Sequence, residues 1–280
     1  MIAQAKISLL SNRLARSDGR RIPENVLERD YCLAWFLVAL SKTPLRDRLA
    51  FKGGTALKRC YYRDYRFSAD LDFSLIAEEP FESIRPELDL VFQEAQRASG
   101  IRFSFLELDP ETHQNSYTFY LGYEGPLPPT GRKQIKVDIT IREILVFPLN
   151  DQHILRSYDE YEDLPEGATV RTYTLDEIAV EKVAALIDPA RTEPRDLYDI
   201  WYLDQHHGVQ LETLVGPVER KLGFRRKKLD DLRGQLDVKR TRLERSWKNR
   251  LDSQMAELPE FQAVYRSVRR AFRQAGLGPR

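Results

Sequence analysis

Asp70 and Asp72, in the run Ser68-Ala69-Asp70-Leu71-Asp72, carry the densest chemistry of this 280-residue chain. Phe67–Leu75 alternates as a strand does, which turns Ser68, Asp70, Asp72 and Ser74 to one face. Two carboxylates that close repel each other unless a cation lies between them. A hard divalent ion such as Mg²⁺ takes oxygen ligands and keeps room for phosphate oxygens, so it suits the pair. Upstream, Gly53-Gly54-Thr55 falls between a short strand and a helix. Glycines there let the backbone turn sharply and approach a ligand, and the N–H groups opening the helix at Thr55 would meet a phosphate. The Ser68 hydroxyl, in line with the aspartates, can donate to a phosphate oxygen. A third carboxylate, Asp138, stands mid-strand between Val137 and Ile139, where an unpaired charge is costly. If its strand lies beside Phe67–Leu75, then Asp70, Asp72 and Asp138 can hold two Mg²⁺ ions about 3.5–4 Å apart. That arrangement activates an attacking hydroxyl and stabilises a leaving phosphate.

The elements that must position these residues are readable by period. Residues 2–16 have the spacing of an exposed helix, and Pro23 opens a second helix running to Leu40, apolar throughout its later half. Arg48–Phe51 reads as a short strand, Thr55–Arg63 as the helix after the paired glycines, and Pro86–Ser99 as a helix ended by Gly100. Residues 101–108 and 115–122 alternate as a hairpin around Pro110. Gln134–Arg142 alternates strictly, with Ile135, Val137, Ile139 and Ile141 on one side, and Thr169–Tyr173 is a further short strand. From Leu175 the period becomes helical: Leu175–Ile187, Pro194–Asp204, then charged helix to Gly276. The expected fold class is therefore α+β. A lobe over 1–174 holds a small mixed sheet flanked by helices, and an all-helical lobe over 175–280 follows.

No apolar run approaches the roughly 20 residues of a membrane span, and the first residues lack the apolar core of a signal peptide. The two cysteines, Cys32 and Cys60, have no metal-ligand spacing, so the cytoplasm is the expected compartment and no membrane partner is expected. His113, His153, His206 and His207 share no ligand spacing; His206-His207 before Gly208 reads as a helix end. Net charge is only +1, but residues 219–250 carry an excess of eight basic over acidic residues, densest at Arg225-Arg226-Lys227-Lys228. Such a stretch either faces a polyanion or is a solvated helix face with internal pairs such as Glu244–Lys248. Lys182 emerges from the apolar helix of Ile178, Ala179, Val183, Ala184 and Leu186, so its amine either snorkels to solvent or meets an anion. In Pro194-Arg195-Asp196-Leu197-Tyr198-Asp199, Asp196 is read as functional on a face apart from Asp199, with Arg195 and Asp199 supporting it. Exchange of the two aspartates stays open.

Gly53-Gly54-Thr55 with Leu57, followed by Arg66-Phe67-Ser68-Ala69-Asp70-Leu71-Asp72, resembles the first motif of the DNA polymerase β-like nucleotidyltransferase superfamily. Within it, the match is to the AbiEii or MenT toxins of type IV toxin–antitoxin and abortive-infection systems. Lys136-Val137-Asp138-Ile139 resembles the second motif, which supplies the third carboxylate. Glu181-Lys182-Val183-Ala184-Ala185-Leu186 resembles the third, a helix whose lysine contacts the nucleotide. Pro194–Asp199 resembles the fourth, where the aspartate after arginine, here Asp196, is required for toxicity. Together the matches cover roughly residues 48–203.

The resemblance implies an enzyme that moves a nucleoside monophosphate from an NTP to an acceptor hydroxyl, with Mg²⁺ as cofactor at a two-metal site. Asp70, Asp72 and Asp138 would hold metal, Gly53, Gly54, Thr55, Ser68 and Lys182 would bind the nucleotide, and Lys182 and Asp196 would join the carboxylates in catalysis. It also implies the 3′ end of tRNA as acceptor, arrest of translation and growth, and a cognate antitoxin. Arg225, Arg226, Lys227 and Lys228 would then touch RNA. Two other readings share these motifs: modification of a protein side chain, and a nucleotide-binding regulator acting through a partner.

Overall fold

Gln134–Thr140 alternates with Ile135, Val137 and Ile139 buried and the polar residues between them half-buried, as a strand with one covered face must. In the computed structural model, which describes residues 1–17, 21–110, 115–129, 131–206 and 208–279, this strand lies within a seven-stranded mixed sheet. In chain order the strands are β1 (Leu49–Lys52), β2 (Leu71–Leu75), β3 (Arg102–Leu108), β4 (Ser116–Glu124), β5 (Gln134–Thr140), β6 (Leu149–His153) and β7 (Thr169–Tyr173). Their spatial order is β3-β4-β5-β2-β1-β7-β6. β2 runs parallel to β5 and β1 parallel to β7, while the other neighbours are antiparallel. The expected hairpin is present as β3–β4.

Helices α1 (Gln4–Ser17) and α2 (Glu24–Leu40) open the chain. α2 is buried without a break from Tyr31 to Leu40, as its continuous apolar half predicts. The helix expected to reach Arg63 is shorter: α3 (Gly53–Ala56) passes into one π-type turn over Leu57–Tyr61. α4 (Phe81–Ser99) ends on left-handed Gly100, as read from the sequence, and starts five residues earlier than Pro86.

The expected strand Phe67–Leu75 is also shorter, since laddering starts only at Leu71. Other contacts hold the lead-in. Lys58, fully buried, donates to the carbonyls of Arg63 (3.3 Å) and Tyr65 (3.2 Å) and lies 4.4 Å from the centre of the Phe67 ring. Burial pushes its ammonium down to about 8. The Thr55 hydroxyl grips the Asp70 carbonyl at 2.5 Å. Ser68 and Asp70 therefore belong to a pinned loop rather than to a strand face. Ser74, two residues beyond Asp72 on the same strand, is buried against the Tyr173 hydroxyl at 2.7 Å.

The chain divides into two units. One comprises Met1–Glu143 with Leu149–Tyr173; the other comprises Ile144–Pro148 with the chain from Thr174 onward. The second unit holds α5 (Leu175–Leu186), α6 (Pro194–His206), α7 (Val215–Phe224), α8 (Leu229–Leu232), α9 (Gln235–Leu251) and α10 (Phe261–Gln274). Thr174 caps α5 by accepting from the Glu177 N–H, the threonine half of a T-x-x-E start signal. Glu177 and Lys221 form a fully buried ion pair at 2.6 Å. Glu177 also accepts from the N–H groups of Val146 (2.9 Å) and Phe147 (2.8 Å), and Lys221 donates to the Ile144 carbonyl at 2.8 Å. A segment far upstream of residue 175 is thereby fastened into the helical unit. Among the described residues no helix is long and apolar enough to cross a membrane. His153 lies on β6 and His206 ends α6, while His113 and His207 lie outside the described residues.

Candidate active site

Register brings the first and second motifs together within the first unit. β2 and β5 run parallel with Asp72 opposite Asp138; β1 sets Lys52 opposite Asp72; β4 sets Thr118 opposite Asp138. Four adjacent strands thus present Thr118, Asp138, Asp72 and Lys52 as one row, its backbones spaced by about 4.7–4.9 Å per strand. Asp70 lies immediately before β2. Lys52 donates to the Thr140 hydroxyl at 3.0 Å and sits 5.5 Å from the centre of the Tyr173 ring.

Asp138 is tied on both oxygens, accepting from the Thr118 hydroxyl at 2.5 Å and from Lys136 at 2.7 Å. Burial lowers the Lys136 ammonium, but its hydrogen bond to Asp138 and the charges of Asp138, Asp70 and Asp72 outweigh this and hold it above its usual value. One cation therefore feels all three carboxylates. Lys52 and Thr118 escape sequence reasoning because cross-strand register is tertiary information. For Lys136 a signal was present, since residues two apart on a strand share a face with Asp138.

The paired glycines are required for different reasons. Gly53 has φ +78°, and a Cβ there would lie 2.5 Å from the Asp72 Oδ2. A Cβ on Gly54 would lie 2.6 Å from the Arg66 Nη2 and 3.4 Å from the Ser68 hydroxyl oxygen. The turn thus lets one carboxylate and one guanidinium close on bare backbone. Arg66, only 3% exposed, is a further residue of this loop, and nothing in its sequence neighbourhood signals its approach to Gly54. Gly53→Ala is expected to cost about 1–2 kcal/mol of backbone strain and, by moving Asp72, to lower catalysis at least about tenfold. Gly131→Ala has a similar φ of +83° with open space around its Cβ, and should lose stability only. Urea unfolding and turnover of the two variants separate the effects.

In the second unit, Lys182 does not simply snorkel. It bridges Asp196 and Asp199 at 2.8 Å each, with both carboxylates essentially buried. Asp196 also accepts from Arg191 Nε at 2.6 Å. Burial works to raise the Asp196 carboxyl, yet Lys182 and Arg191 overcome it and hold the group below its ordinary range. The expectation of separate faces for Asp196 and Asp199 is corrected: three residues apart on α6, they converge on one ammonium.

A family model for the nucleotidyl transferase AbiEii toxin of type IV toxin–antitoxin systems matches residues 35–274. The chain belongs to this AbiEii family. It is thus a nucleotidyltransferase of a toxin family. No curated protein sequence matches it. Among solved structures, the nucleotidyltransferase toxin MenT4 of Mycobacterium tuberculosis is similar at 20% identity and a TM-score of 0.67. The alignment covers 99% of this chain and 90% of that one. At that identity the likeness establishes the shared fold.

The residues of this AbiEii protein suit a divalent cation. The donors are hard carboxylate oxygens on adjacent strands, and the space a Cβ would take at residue 53 is left to Asp72. Among the described residues no three ligating side chains already stand at metal-binding spacing. The Lys136 ammonium rests on Asp138 instead. Of the basic run, Arg225 pairs with Glu181 at 3.8 Å and Lys227 with Asp188 at 2.5 Å, while Arg226 has a left-handed φ of 56°. Half of that run is therefore engaged in internal pairing.

Proposed function

We propose that this AbiEii-family protein transfers a nucleoside monophosphate from an NTP to a hydroxyl of RNA, at the 3′ end of tRNA, and so arrests translation and growth. The observation that carries the reading is the in-register pairing of Asp72 with Asp138 next to a glycine turn that only bare backbone can make. In the reaction the acceptor oxygen attacks the α-phosphorus, its O–P bond forms as the α–β bridge breaks, and pyrophosphate and the hydroxyl proton leave. Asp70, Asp72 and Asp138 are the residues that would hold Mg²⁺, which lowers the pKa of the attacking hydroxyl and offsets phosphate charge. Gly53, Gly54 and Thr55 offer backbone to the phosphates, and Ser68 a hydroxyl. Lys52 and Lys136 add positive charge at the rim of the row. The catalytic roles inferred by resemblance for Lys182 and Asp196 belong to the same proposal. A protein antitoxin is the expected partner.

The test is incubation of the purified protein with Mg²⁺, each labelled NTP and total cellular RNA, beside an Asp70→Ala control. Label on tRNA in the wild type alone is the expected result. Label on protein would replace the RNA acceptor by a side chain, and growth arrest that survives Asp70→Ala would remove catalysis from the account of toxicity.

A further inference from the structure

A wholly basic helix lies outside the motifs. α10 carries Arg266, Arg269, Arg270 and Arg273 and no acidic residue. Between it and α9 lies an open cavity of about 610 Å³ lined by Asp237, Arg240, Gln262, Tyr265, Arg266 and Arg269. The two acids of α9 are engaged. Asp237 accepts from Tyr265 at 2.5 Å and from Arg269 at 2.7 Å, and Glu244 accepts from Gln262 at 2.6 Å. The other groove arginines are steadied by neutral oxygens: Arg240 donates to the Gln262 side chain at 3.0 Å and Arg266 to the Gln262 carbonyl at 3.0 Å. Arg240 and Arg266 thus keep their charge directed at the groove, unlike Arg225 and Lys227, which pair with Glu181 and Asp188.

We propose that the α9–α10 groove binds the sugar-phosphate backbone of the acceptor RNA, a role that rests on the RNA reading above. Residues 266 to 273 advance about 10.5 Å along the helix, long enough to follow more than one phosphate of a strand. Arg266, Arg270 and Arg273 are placed about a turn apart along it, while Arg269 is held by Asp237. The floor is Tyr265, only 4% exposed, so the groove offers no open aromatic face on which a base could stack. Guanidinium forks without a stacking platform suit phosphates rather than base edges. An acidic protein segment would also find positive charge here. The regular spacing along one helix, with no apolar anchor among the lining residues, favours a polyphosphate chain.

The test uses the full-length protein and a fluorescein-labelled RNA hairpin with a single-stranded 3′ end, followed by anisotropy over a range of salt. Arg240→Gln/Arg266→Gln/Arg273→Gln leaves the Asp237–Arg269 pair in place and changes exposed residues only. It is expected to weaken binding at least about tenfold and to reduce the salt slope by about 2–3, at close to one unit per lost contact. In the transfer assay KM for RNA should rise while KM for NTP stays unchanged. Matched substitution of Arg225, Arg226 and Lys228 should have the smaller effect. Unchanged affinity and slope in the groove variant would overturn the proposal, as would loss of polyglutamate binding with RNA binding intact, which would indicate an acidic protein instead. Wild-type protein that binds the hairpin through these arginines but labels no RNA would refute the transfer reading and leave the groove assignment standing.

Discussion

Asp72→Asn is expected to lower nucleotidyl transfer by about 10²–10³-fold or more while leaving the fold intact. Asparagine keeps the shape that packs against Gly53 but removes one of the two charges that β2 and β5 set side by side. The folded protein loses the repulsion from Asp138 and, against it, the attraction that Asp72 exerts on Lys136. The two oppose each other, so its urea midpoint should move by no more than about 1 kcal/mol. Rate and midpoint measured on the same preparation make the prediction specific. A slow, unstable variant would mean that Asp72 is structural, and a fast one would remove it from the chemistry. In cells, the asparagine variant should accumulate without arresting growth.

Lys182→Met carries the largest expected cost in stability. Its ammonium is shared by Asp196 and Asp199, which are 1% and 0% exposed. Removing one partner from a buried ionic cluster leaves uncompensated charge and costs about 3–5 kcal/mol. Denaturant unfolding should show that loss, and adding Asp196→Asn with Asp199→Asn should restore much of it. A variant that loses turnover at full stability would instead make Lys182 a nucleotide contact alone. The pH dependence has a definite sign. The folded Asp196 carboxyl is held below its unfolded value, so its contribution is present above about pH 4 and is lost as pH falls through the folded value. Without Lys182 the burial of Asp196 is opposed chiefly by Arg191, and this acid sensitivity should shrink.

The local parts of the site were legible because each depends on neighbours in sequence. Strict alternation marks β5, Gly100 marks the end of α4, and Gly53-Gly54 with the two aspartates marks a phosphate-and-metal site. The start of β2 was misread because alternation persists through Phe67–Asp70, where Lys58 and Thr55 hold the chain off the ladder. β6 was missed because Leu149-Asn150-Asp151-Gln152-His153 is a polar edge strand without an apolar period. Lys52 and Thr118 become visible only through pairing across strands. The joint claim of Asp196 and Asp199 on Lys182 likewise depends on how α5 and α6 meet.

The fastening of Ile144–Pro148 by Glu177 and Lys221 bears on modularity. The polypeptide leaves the sheet unit after Glu143, returns at Leu149 and leaves again after Tyr173, so the units are interlaced in sequence rather than arranged as cassettes. A gene cut at residue 174 would strand Val146 and Phe147 without the carboxylate that accepts from their N–H groups, and would leave Lys221 without the Ile144 carbonyl. Neither product would be a complete folding unit. Recombination with a relative would have to exchange Ile144–Pro148 together with the helices that grip it, so the seam crosses the chain at 143/144, 148/149 and 173/174 rather than at one point.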